Sequence, residues 1–94
     1  MTPVNTIDLL ARDPQQDVCW VVELKRRNSS DAVVGQLSRY RGWIAQEQGL
    51  PVERACGIIL TDEVTERLRL AVTVQQGVEL WRYDEGLAME RIRA

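Results

Sequence analysis

The sequence predicts an α/β fold: a mixed sheet with elements in the order β-β-α-β-α-β-(β), an antiparallel hairpin at its front and flanking helices. Three observations predict it. Short β-branched or continuous apolar runs (VCWVVELK, ACGIILT, VELWRY) alternate with stretches whose apolar residues recur at helical spacing. A polar turn containing Pro14 separates the first two apolar runs, as a hairpin requires. Finally, 94 residues, 45% of them hydrophobic, supply one core and no second one, so residues 1–94 are read as a single domain.

The elements follow in order. Residues 5–11 (NTIDLLA) read as a strand, ended by Arg12-Asp13-Pro14-Gln15-Gln16-Asp17, where Pro14 is hostile to regular pairing. Its hairpin partner is Val18 to Lys25, whose alternation sets Trp20, Val22 and Leu24 on one face and Val21, Glu23 and Lys25 on the other. Asn28-Ser29-Ser30-Asp31 offers helix-start side chains, and Val33, Val34, Leu37, Tyr40 and Ile44 predict a helix over 30–47, which Gly49, Leu50 and Pro51 end. Residues 55–61 form a short apolar run, a buried strand. Thr61 or Asp62 then caps a helix from Glu63 to about Gln75, with Val64, Leu68 and Ala71 on one face. Gly77 leads into a strand over 78–83, and residues 87–93 are read as a returning strand after an Asp84-Glu85-Gly86 turn, with a short helix as the alternative. Each βαβ passage calls for a right-handed crossover between parallel strands.

Composition removes whole classes of chemistry. The chain has no histidine, which excludes Ser-His-Asp and Cys-His catalysis and any zinc site that needs imidazole. Its two cysteines, Cys19 and Cys56, sit inside apolar runs and read as small buried hydrophobes. A metal in this chain is therefore held by carboxylates, whose oxygens favour magnesium, manganese or calcium. No run approaches the length of a membrane-spanning helix, and the first residues lack the pattern of a secretory signal, so a cytoplasmic location is expected.

The formal net charge of −2 is unevenly spread. Residues 23–41 carry Lys25, Arg26, Arg27, Arg39 and Arg41 against Glu23 and Asp31, whereas the segments on either side are net acidic. A basic segment in an acidic chain suits a localised phosphate-facing patch; the plainer reading is a solvated surface.

Glu23 and Lys25 share the face of their strand with Val21, and such a pairing at the end of an apolar run is either an ion pair or a site. Asp8, between Ile7 and Leu9, is the third candidate, because the hairpin brings it across from Glu23. Two nearby carboxylates repel unless a cation lies between them, which is why such pairs mark divalent-metal sites. Lys25 beside them offsets charge building on phosphorus or holds the attacking water. On the helix, Gln36 and Tyr40 fall four apart and project from one face, and Arg39 and Arg41 reach toward a nucleic-acid backbone.

The stretches IDLLARD, VVELKRRNSSDAVVGQLSRYRGWI, ACGIILTDEVTERLRLAV and VELWRY resemble the nuclease domain of the NucS-type (EndoMS) DNA endonucleases, of the restriction-endonuclease-like PD-(D/E)XK superfamily. The resemblance spans residues 5 to 84, and its most specific piece is ELKR followed at helical distance by GQLSRY. It implies a restriction-endonuclease-like sheet and a site in which Asp8, Glu23 and the main-chain carbonyl of Leu24 bind magnesium or manganese. Lys25 is then the catalytic cation, and Gln36 and Tyr40 complete the site. The chain departs from the family in having Asn5-Thr6 where Gly-Arg is usual, and the preceding helix and the amino-terminal DNA-binding and dimerisation domain are expected to be lacking.

The expected activity is metal-dependent hydrolysis of DNA, single-stranded, branched or mismatched, with Arg26, Arg27, Arg39 and Arg41 on the substrate backbone. A homodimer or a partner domain would supply targeting. The competing reading is a catalytically silent module of the same fold that binds nucleic acid or a protein. Trp20, Trp43 and Trp81 are read as packing residues, Glu63, Glu66, Arg67 and Arg69 as surface pairs, and Glu79 and Asp84 as solvated acids.

Overall fold

A computed structural model describes residues 9–25, 32–86 and 88–93. Strands β1 (Leu9–Asp13), β2 (Val18–Lys25), β3 (Ala55–Thr61), β4 (Val78–Tyr83) and β5 (Met89–Ile92) form one sheet whose spatial order repeats the chain order. The β2–β3 and β3–β4 pairs are parallel, and an antiparallel pair closes each side. Helix α1 (Ala32–Gln48) connects β2 to β3, and α2 (Glu66–Thr73) connects β3 to β4. This is the mixed sheet with a front hairpin that the sequence predicts, and it has the arrangement of a restriction-endonuclease-like fold.

Both helices lie on one face of the sheet, the outcome of two successive crossovers of the same hand. From α1, Val33, Val34, Leu37, Tyr40, Ile44 and Ala45 are buried against Cys19, Val21, Ala55 and Ile59; Leu68 and Val72 of α2 join them over Leu80. Gly57 lets α1 come close, since a Cβ there would stand 2.7 Å from a Leu37 methyl carbon. The α1 end is a Schellman turn: Gly49 takes φ +62, its N–H donates to the Gln46 carbonyl, and Leu50 N–H donates to the Ala45 carbonyl at 2.9 Å. Leu50 then packs on the core.

Several boundaries differ from expectation, each for a local reason. Strand β1 runs on to Asp13, so the turn contracts to residues 14–17. Asp13 makes this turn itself, its carboxylate accepting from the Gln15 and Gln16 N–H groups at 3.0 and 3.3 Å, and Asp17 closes it with φ 55. Helix α2 is shorter than 63–75 at both ends, and its cap is Thr65, which accepts from Leu68 N–H at 3.1 Å. Thr61 does not cap it: it is fully buried in β3, and its hydroxyl is taken up by the Glu63 main chain. The returning strand forms as β5, after a turn in which the Asp84 carboxylate accepts from Ala88 N–H at 2.9 Å.

The face of the sheet away from the helices carries Trp20, Val22, Ile58, Leu60, Trp81 and Tyr83, all half-buried, with Leu24 exposed. Among the described residues no helix covers it, and no helix is long and apolar enough to cross a membrane. Trp43 packs on the core, and Trp81 donates its indole N–H to Glu79 at 2.9 Å. Cys19 and Cys56 are buried thiols, as read from their apolar runs.

Candidate active site

Strand β2 alternates as its sequence predicts: Cys19, Val21 and Glu23 are buried beneath α1, while Trp20, Val22 and Leu24 look the other way. This alternation carries a carboxylate into the core layer, where Glu23 is 2% exposed beside Ile59 and, one strand further, Leu80. Burying an ionised carboxylate is costly unless a cation accompanies it. Lys25, two residues on and on the same face, supplies one, with Nζ 3.4 Å from Glu23 Oε1. That separation exceeds the roughly 2.7–2.9 Å of a tight ammonium–carboxylate hydrogen bond. The ammonium therefore faces the carboxylate without closing on it, and a third of the Lys25 side chain remains in contact with solvent.

The α1 residues meet this strand from above. Tyr40 is fully buried. Gln36, one turn earlier and half-buried, donates from Nε2 to the Tyr40 hydroxyl at 2.7 Å. The i, i+4 spacing read from the sequence thus becomes a real contact, and it fixes which way the Gln36 amide points.

Arg39 is exposed on α1. Arg41 is set apart from the site. Its Nε donates to the Ala55 carbonyl at 2.6 Å, four residues and about 13 Å down β3 from Ile59, the neighbour of Glu23. There it ties α1 to the start of β3, a use that its place in a basic segment did not reveal. Asp8, Arg26 and Arg27 lie outside the described residues.

At the carboxyl end of β3 and β4 a cleft of about 520 Å3 adjoins the site, lined by Asp62, Glu63, Arg82, Tyr83, Asp84 and Glu85 among others. Its lining is predominantly acidic. Two residues here were not singled out as site residues: Thr61, fully buried between Lys25 and Arg82 in the sheet register, and Tyr83, whose hydroxyl donates to the Lys25 carbonyl at 3.5 Å. Only the parallel register, which no local pattern encodes, brings them to the end of β2.

Residues 1–92 match the family model of the endonuclease NucS C-terminal domain. The chain belongs to that family. No curated protein and no solved structure matches it. The NucS C-terminal domain is the PD-(D/E)XK-like nuclease part of these endonucleases.

The donor chemistry fits a hard divalent ion. Glu23 brings a buried carboxylate paired with Lys25, and every candidate ligand in this histidine-free chain is an oxygen donor. Among the described residues no three acids or cysteines converge on a metal centre. The second expected carboxylate, Asp8, belongs to the segment that is not described.

Proposed function

We propose that this NucS C-terminal domain is a magnesium- or manganese-dependent DNA endonuclease centre built on Asp8, Glu23 and Lys25. The observation that carries the reading is the buried Glu23 carboxylate with the Lys25 ammonium 3.4 Å away, on the side of β2 that faces α1. Asp8 is included because the described ladder leaves off with Leu9 opposite Val22, one residue short of Asp8 on one strand and of Glu23 on the other.

Asp8, Glu23 and the Leu24 carbonyl would hold the ion, which supplies Lewis-acid polarisation of the phosphate and acidification of a water when bound. Lys25, half-buried at the end of the strand, offsets the negative charge that develops on phosphorus and orients the attacking water. The Gln36 amide, held by Tyr40, offers its carbonyl oxygen as an acceptor for that water. Arg26, Arg27 and Arg39 hold the DNA backbone by charge-assisted contacts to phosphate. Arg41, committed to the Ala55 carbonyl, has no part in this grip. The acidic cleft beyond β3 and β4 repels phosphate, so the backbone runs on the α1 side of the site. The substrate is single-stranded, branched or mismatched DNA, and a second copy or a partner domain supplies targeting.

Calorimetry with manganese on the wild type and on Glu23→Gln, followed by incubation of both with labelled single-stranded, forked and mismatched DNA, tests this. Stoichiometric binding and cleavage that both disappear in the variant are the expected result. Manganese binding that survives Glu23→Gln, or cleavage that survives it, overturns the assignment.

A further inference from the structure

We infer that Tyr83 is a positioning residue for Lys25, a role that rests on the nuclease reading of the Glu23–Lys25 pair. The sheet register places Tyr83 one residue beyond the last β3–β4 pair, Thr61 with Arg82, and Lys25 in the last β2–β3 pair, Lys25 with Thr61. Past Thr61, β3 has ended, and the hydroxyl of Tyr83 spans the place a longer β3 would occupy and donates to the Lys25 carbonyl at 3.5 Å. The contact joins residues 58 apart in sequence and crosses a whole strand.

The two faces of the sheet make this geometry useful. Arg82 shares the helix-covered face with Thr61 and Lys25, so Tyr83 lies on the opposite face and reaches the Lys25 main chain without competing for its ammonium. Lys25 thus has a contact at each end: its Nζ lies 3.4 Å from Glu23 Oε1, and its carbonyl lies 3.5 Å from the Tyr83 hydroxyl. Lys25 stands in the last pair that β2 makes with β3 among the described residues, and groups at the end of a ladder open more readily than those inside it. Fraying here would swing the ammonium away from the carboxylate. The Tyr83 hydroxyl opposes it from β4, where the Tyr83 backbone is paired with Met89 of β5. On this inference Tyr83 acts through the backbone of Lys25.

Tyr83→Phe removes the hydroxyl and keeps the ring. Two readouts are taken on wild type and variant: amide hydrogen exchange along the whole chain, and kcat and KM for manganese-dependent cleavage of labelled DNA. The expected result is faster exchange at Leu24 and Lys25 by about tenfold, the equivalent of one net hydrogen bond, with α1 and β1 unchanged. With it, kcat falls about tenfold at unchanged KM. Exchange at the end of β2 that does not change overturns the inference, as does acceleration spread over the whole sheet, or local acceleration with kcat untouched. A wild type that neither binds manganese nor cleaves overturns the nuclease reading instead, and local exchange then still reports whether Tyr83 fastens β2.

Discussion

A Leu37 methyl carbon occupies the space that any side chain at Gly57 would need: a Cβ built there would stand 2.7 Å from Cδ2 and 2.9 Å from Cγ. Helix α1, which carries Gln36 and Tyr40, therefore rests on β3 at a distance set by the lack of a side chain. Gly57→Ala is expected to destabilise the domain by about 1–3 kcal/mol through overpacking. Urea unfolding measures it, and pairing the change with Leu37→Val should recover part of the loss. Equal costs in the two backgrounds would mean that Leu37 is not the obstacle.

Thr65 caps α2 and Thr61 does not, so the two threonines should respond differently to substitution. Thr65→Ala is expected to cost about 1 kcal/mol, and Thr65→Ser much less, because a serine hydroxyl still accepts from Leu68 N–H. Asp62→Ala should leave α2 intact, as judged by helical circular dichroism and amide protection over residues 68–73.

Tyr40 is fully buried and receives a hydrogen bond from Gln36, which separates its packing from its chemistry. Tyr40→Phe keeps the ring in the core and should change stability by about 1 kcal/mol. On the proposed mechanism it lowers kcat about tenfold, and Gln36→Leu lowers kcat by a similar factor. The double variant should lose little more than either single one, since both break the same contact. Additive losses would separate the two roles.

The Cys56 thiol is pushed above its ordinary range by burial, with the Arg41 guanidinium drawing it partly back. A folded-state value above the unfolded one means that the unfolded chain releases its proton first as pH rises. This contribution to stability is present below the ordinary thiol range and is lost as pH climbs through the folded value. Unfolding free energy should thus decline on the alkaline side, and less so in Cys56→Ala. Alkylation of Cys56 in a Cys19→Ser background should titrate at higher pH in the folded protein than in urea.

Exposed Glu66 and Arg69 form an ion pair that holds the Glu66 carboxyl below its ordinary value, chiefly through the hydrogen bond from Arg69. That small contribution is present above the ordinary carboxylate range and lost as pH falls through the lowered value. NMR titration of Glu66 in Arg69→Ala should show its midpoint return upward.

Where residues act on near neighbours, the sequence was readable. The alternation in VCWVVELK foretold which β2 side chains share a face, and the four-residue spacing of Gln36 and Tyr40 foretold that they share a face of α1, where they are in contact. A continuous apolar run marked β3 to the residue, and the β-branched and aromatic run VELWRY after Gly77 marked β4. The misreadings share a cause. Thr61 looked like a cap because threonine before an amphipathic run often is one, yet its burial in β3 depends on the parallel pairing with β2. The hydrogen bond from Arg41 Nε to the Ala55 carbonyl was equally hidden, because charge counted along the chain does not show where the helix turns a guanidinium. Tyr83 drew no notice, since only the register of three strands brings it to Lys25.

The strands stand in the sheet in the order in which they are synthesised. No strand has to be threaded between two that are already paired, and each new one adds to the edge left by its predecessor. Growth from the ribosome can then follow the finished topology: β2 gains both of its neighbours once β3 has emerged, before β4 and β5 exist. The pair Glu23 and Lys25 would be framed on both sides early, and the last hairpin, arriving with Tyr83, would finish the end of a strand already in place.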